Sequence, residues 1–176
     1  MPDGIAIRAA TAADGDAIDA VIRAAFADTR FGHQGEAGLV RMLEADGDAL
    51  TSLVAERDGA IVGHVLLSRM DVAADGAALS AAGLAPVSVA PDHQGQGIGD
   101  ALIRAALDDL RKQGVQISFV LGHASYYPRF GYSPDLAERF ASPFAGPHFM
   151  AMMLDSGADW PQCGRANYAP AFGRLG

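Results

Sequence analysis

Six residues near the middle of the chain, Gln94-Gly95-Gln96-Gly97-Ile98-Gly99, place three glycines between an apolar run and an amphipathic one. If a strand ends before them and a helix starts on them, several helix N-terminal N–H groups aim at one point, and that point attracts anions. Glycines let a phosphate approach the backbone without meeting a side chain, and the helix dipole adds favourable potential. A pyrophosphate is the guest this suits. A P-loop would need Gly-Lys-Ser or Gly-Lys-Thr at the end, but Asp100 and Ala101 follow Gly99. A dinucleotide fingerprint would need GxGxxG after a first strand and an acidic residue about twenty positions on. Here the spacing is GxGxG, in mid-chain, and Phe119 stands at about that distance. On the glycines alone, an ordinary helix start with turn glycines fits as well as a ligand site.

The flanking elements have to supply the geometry. Leu84-Ala85-Pro86-Val87-Ser88-Val89 is the strand that leads in, and Pro86, with no N–H to give a ladder, predicts a bulge or a splay from a neighbour. From Gly97 to about Gln113, Gly99, Leu102, Ile103, Ala106 and Leu110 share one helical face, with Asp100, Arg104, Asp108 and Arg111 opposite. Gly114 stops that helix, and Val115, Ile117, Phe119 and Leu121 alternate as one face of the next strand. A turn over 122–125, a short helix over 126–130 and a last strand over 149–154 follow. Met150, Met152 and Met153 read as core. Upstream, a strand over 5–8 precedes Thr11 and Asp14, a capping box with Asp in the usual Glu or Gln position, and a helix carrying Ile18, Val21, Ile22, Ala25 and Phe26 on one stripe. A loop over 28–35 and a second helix over 36–44 lead to Asp58-Gly59 between two apolar runs, a hairpin signal. Residues 72–82, rich in Ala, read as a loop. No repeat or linker divides the chain, so one domain over 1–176 is expected, with a core about 5–154 and an irregular tail over 155–176.

Composition narrows the partners. The chain has 176 residues, half of them hydrophobic, and no run of eighteen apolar positions, which predicts a soluble domain without a membrane span. The first residues lack the basic and apolar pattern of a secretory signal, so a cytoplasmic location is expected. Cys163 is the sole cysteine, which excludes an internal disulfide and a cysteine zinc cluster, and no metal is expected. Thirteen basic against 21 acidic residues give a net charge of −8, the wrong sign for gripping nucleic acid.

Gln94 to Gly99 also match the QxxGxG pattern of the GNAT superfamily of N-acetyltransferases. The strand before it, the helix and strand after it, and Tyr127-Pro128-Arg129-Phe130-Gly131-Tyr132 resemble the second half of a GNAT domain in order and spacing. From Leu84 to Tyr132 the chain is most similar to the bacterial YhbS-type acetyltransferases. The resemblance implies an α/β (α+β) fold: a mixed, mostly antiparallel sheet whose central parallel strands splay into a V, flanked by helices. It implies acetyl-CoA as co-substrate. The pantetheine arm would pair with the backbone of Val87, Ser88 and Val89, and the N–H groups of Gly95, Gln96, Gly97, Ile98, Gly99 and Asp100 would hold the pyrophosphate beside Gln94.

The implied reaction moves an acetyl group to a primary amine of a small molecule or protein, by direct attack in a ternary complex. The implied oxyanion donor is the N–H of Val89. Tyr127, four residues before the Gly131-Tyr132 pair, resembles the family's general acid, and a phenol near pKa 10 facing a thiol near 8.5 is uphill by only about 1.5 units. A shift to Tyr126 stays open. The family's usual asparagine after the second V strand is missing, and His123 or Ser125 substitutes or nothing does. Glu36, His64 and Ser88 are candidates for the base, and the loop around Phe31-Gly32-His33-Gln34 would line the acceptor pocket. The alternative is a non-catalytic acyl-CoA-binding or sensing module of the same fold, and either would be a monomer or a homodimer.

Overall fold

Two Asp-Gly steps fold the middle of the chain into a meander. Asp58 and Gly59 have φ of 53° and 79°, and Asp75 and Gly76 have 51° and 82°. These left-handed pairs match the twist of antiparallel strands, so each step closes a tight hairpin. In the computed structural model, which describes residues 2–27 and 35–174, they join β2 (Ala49–Arg57), β3 (Ala60–Ala74) and β4 (Ala77–Val89). The first hairpin agrees with the sequence reading. The second corrects it, because residues 72–82 are not a loop but pair from Ala74 opposite Ala77 onward. Alanine has weak strand preference, which masks the pattern. Burial supplies what preference does not: Met70, Val72, Ala74 and Ala81 are buried in one cluster.

The sheet runs β1 (Ala6–Ala9), β2, β3, β4, β5 (Ile117–Leu121), β7 (Phe149–Met153), with β6 (Phe140–Ala141) and β8 (Gly164–Asn167) joined beside the far half of β3. Along the main path every pairing is antiparallel except β4 with β5. Helix α3 (Ile98–Lys112) covers one face, its Leu102, Ile103, Ala106 and Leu110 packing with Val65, Leu84, Val120 and Met150. Helices α1 (Gly15–Phe26) and α2 (Glu36–Ala45) cover the other, where Ile22, Leu39 and Leu43 meet Val54 and Leu66. A three-residue 3₁₀ turn (Ala12–Asp14) separates β1 from α1, and the Asp14 carboxylate accepts from the Thr11 N–H at 2.7 Å, as the capping pattern predicted. Strand β5 lies between both cores: Ile117 and Phe119 face one, Val120 the other, and Leu121 is exposed. The expected four-residue stripe is therefore only two residues long, as a strand buried on both faces allows.

The tail also holds a strand. β8 pairs antiparallel with Asp71 to Ala74 of β3, and Ala169 and Ala171 complete the core beneath α2. Short side chains and scattered Gly and Pro hide this segment from periodicity, since its order comes from partners about ninety residues away.

Strands β4 and β5 part, as Pro86 predicted. Their parallel pairing covers Ala81 to Leu84 against Ile117 to Val120 and then stops. On the β3 side, Val65 pairs with Val87 but Leu67 pairs with Leu84, so β4 carries one extra residue at Ala85-Pro86. This is a β-bulge, which bends the strand and increases its twist. Beyond it, β3 is the only strand neighbour of Val87 to Val89 among the described residues.

Candidate active site

The glycine-rich turn sits where the parted end of β4 meets α3. Gly95 and Gly97 have φ of 74° and 85°, values a side chain would strain, and Gly97 is the N-cap of α3 with no side-chain cap. The first intrahelical bond runs from Ala101 N–H to Gly97 O at 3.1 Å, which leaves the N–H groups of Ile98, Gly99 and Asp100 at an uncapped helix start. The Ile98 side chain is buried in the core, so its backbone alone faces the cleft. Gln94 secures the turn by donating from Nε2 to the Val89 carbonyl at 2.9 Å. Arg57 secures it from behind, donating to Gln96 Oε1 at 2.8 Å and lying 3.1 Å from His93 Nδ1. No sequence signal pointed to Arg57, thirty-nine residues away on the first hairpin.

The open edge of β4 is specific about which groups it offers. Ala90 N–H bonds Val62 O at 2.8 Å, toward β3. By the two-residue alternation of an antiparallel ladder, the backbone groups of Ser88 also point to β3, while those of Val87 and Val89 point into the V. Of the three residues expected to line a pantetheine arm, Val87 presents both backbone groups and Val89 its N–H, its carbonyl being taken by Gln94, while Ser88 presents neither.

The two tyrosines differ in their surroundings. The Tyr126 hydroxyl donates to Asp100 Oδ1 at 2.5 Å, and burial together with that bond pushes its pKa up. Tyr127 is buried, its pKa is raised by burial, and its ring packs edge-on to Tyr126 and Tyr132 with centroids 5.0 and 5.9 Å away. The ring lies so close to Gly122 that a Cβ there would overlap it. Glycine just after β5 is thus what admits the Tyr127 ring there, while Tyr126 and not Tyr127 is among the residues that line the cleft. His123 and Ser125 are exposed, and the contribution of His123 to this turn is its carbonyl, which accepts from the N–H groups of Tyr126 and Tyr127 at 3.0 and 3.2 Å.

On the opposite face, under α1 and α2, His64 and Ser88 are cross-strand partners and both are buried. His64 Nε2 lies 2.9 Å from Ser52 Oγ, and burial holds its pKa down to about 4. Among the described residues, the buried His64 Nδ1 and Ser88 Oγ have no hydrogen-bond partner. Glu36 opens α2. Residues 31–34, expected to line an acceptor pocket, lie outside the described residues. A cleft of about 400 Å³ joins Val89, the turn residues His93 to Gly95 and Gly97 to Asp100, Tyr126 and Arg129.

Comparison with known proteins agrees with this geometry. Residues 6–134 match the profile of the acetyltransferase (GNAT) domain. YjhQ of Escherichia coli K12, an uncharacterized N-acetyltransferase, is 39% identical over 131 residues, which are 72% of this chain and 72% of its own. YhbS of the same organism is 35% identical over 127 residues, with the same coverage. Its crystal structure in complex with CoA superposes with a TM-score of 0.83 at 30% identity, covering 98% of this chain and 93% of that one. A GNAT family acetyltransferase from Brucella melitensis, solved in complex with acetyl-CoA, gives 0.79 at 36% identity over 96% and 97%. With the parted strands, the uncapped glycine turn and these relatives together, the chain belongs to the GNAT acetyltransferase family.

Proposed function

We propose that this protein binds acetyl-CoA and transfers the acetyl group to a primary amine of a small molecule or a protein, in a ternary complex and as one cytoplasmic domain. The observation that carries this reading is the continuous line of backbone groups from Val87 and Val89, on the unpaired edge of β4, to the uncapped start of α3. An extended pantetheine arm takes the edge as an added strand would, and the pyrophosphate takes the N–H groups of the turn from Gly95 to Asp100. The carbonyl of the thioester then lies in the V, with the Val89 N–H as donor to the developing oxyanion.

The amine nitrogen attacks that carbonyl carbon, the C–S bond breaks, and the thiolate takes a proton. Tyr127 is the group we assign to supply it, because Tyr126 already spends its hydroxyl on Asp100. His64 is neutral at pH 7 and far too weak a base to strip an ammonium of pKa near 10.4. In this reading the acceptor enters as the free amine, and the proton its nitrogen sheds after attack restores the Tyr127 phenol, so that amide and thiol are the only products.

Thiol release from acetyl-CoA across amine classes (aminoglycosides, polyamines, amino acids, protein N-termini) tests the reading. Turnover with one class is expected, and Tyr127→Phe should lower kcat by about a hundredfold or more while acetyl-CoA affinity holds. Unchanged kcat in that variant removes the acid role. Acetyl-CoA binding without thiol release for any amine would mean a binding or sensing module instead.

A further inference from the structure

Accepting the coenzyme A reading of this cleft, we propose that Arg129 is a side-chain ligand for the pyrophosphate, held at the cleft wall by Asp100 until the coenzyme arrives. Asp100 is an odd residue for the place it occupies. Its carboxylate stands on the first turn of α3, in the cleft where a pyrophosphate would meet the helix N–H groups. A helix start favours one anion, but two anions at the same start repel each other. Something must offset the carboxylate, and two groups do. Tyr126 donates to Oδ1 at 2.5 Å, and Arg129 Nη1 lies 3.6 Å from Oδ2.

The Arg129 contact is a loose one. At 3.6 Å it is an ion pair and not a hydrogen bond. The guanidinium is positioned by other means: Nε donates to the Tyr126 carbonyl at 3.0 Å, and the plane lies 4.4 Å from the centre of the Tyr126 ring. These contacts use the inner side of the fork. Among the described residues, the terminal nitrogens make no hydrogen bond, and the side chain is about half exposed at the cleft mouth. A guanidinium fixed at Nε, with no hydrogen bond at either Nη among the described residues, is set to bind a phosphate with two parallel N–H bonds. Swinging a short distance from carboxylate to phosphate exchanges a loose ion pair for a tight one and leaves Asp100 with the Tyr126 hydroxyl. This also accounts for a net charge of −8 alongside a polyanionic ligand, since one local cation adds to the backbone dipoles.

The probes are CoA, which carries the pyrophosphate, and pantetheine, which lacks it, with Kd measured by calorimetry. For Arg129→Gln we expect the CoA Kd to rise about tenfold, the pantetheine Kd to stay as in the wild type, and the salt dependence of CoA binding to become shallower. Arg129→Lys should recover part of the CoA affinity and serves if the glutamine variant does not fold. Equal CoA affinity in wild type and Arg129→Gln overturns the assignment. So does an equal loss for CoA and pantetheine, which would make Arg129 only a support for Tyr126. If the wild type binds neither probe, the coenzyme reading itself falls, a result distinct from both.

Discussion

His64 shows how one side chain can be read for both stability and chemistry. It is fully buried, one ring nitrogen has no partner among the described residues, and burial lowers its pKa from 6.5 to about 4. Between those two values the unfolded chain binds a proton that the folded chain refuses, so stability falls as pH drops through that window. The difference corresponds to about 3 kcal/mol, present in full above pH 6.5 and lost on approach to pH 4. Denaturant melts of wild type and His64→Gln from pH 7 to pH 4 should show a slope in the first that the second lacks over this range. Equal slopes would mean that His64 titrates normally in the fold. The sequence identified His64 as a candidate but not its state, because a neutral histidine and a proton acceptor look alike until burial and the Ser52 partner are known. The same holds for the tyrosine pair. Spacing named both, and only the contact of Tyr126 with Asp100, twenty-six residues earlier, separates them.

The strands were legible where residue type forces geometry and illegible where geometry comes from distant partners. Asp58-Gly59 closed its hairpin, and Pro86 marked the bulge and the parting of β4 from β5. The Ala-rich outer half of the β3–β4 hairpin and strand β8 gave no signal. Alanine and glycine carry little strand preference, yet glycine is what β8 needs. A Cβ on Gly164 would overlap the Ala73 carbonyl and come within 2.9 Å of the Phe140 ring. Neither neighbour can give way cheaply, one being backbone in a ladder and the other a buried ring. Gly164→Ala should therefore lower stability by about 1–3 kcal/mol, read as a melting temperature lower by roughly 3–10 °C. A melting temperature equal to wild type would show that β8 is not held against β3 as described.

The molecule as a whole presents an apparent conflict, a chain of net charge −8 in a family whose members bind an anionic coenzyme. The proposed coenzyme site would resolve it locally, since the uncapped α3 start, the open edge of β4 and Arg129 lie within one cleft, where they would act over a few ångströms while the overall charge is screened. The central claim is that this edge and this helix start form one coenzyme site. Thermal melting with and without saturating acetyl-CoA tests it most directly, because a ligand that binds only the folded state must stabilise it. At a hundred times Kd the gain is about 2.7 kcal/mol, which predicts a melting temperature higher by roughly 5–10 °C. NAD at the same concentration should leave the melt where it is. A melt that saturating acetyl-CoA does not move would contradict the account.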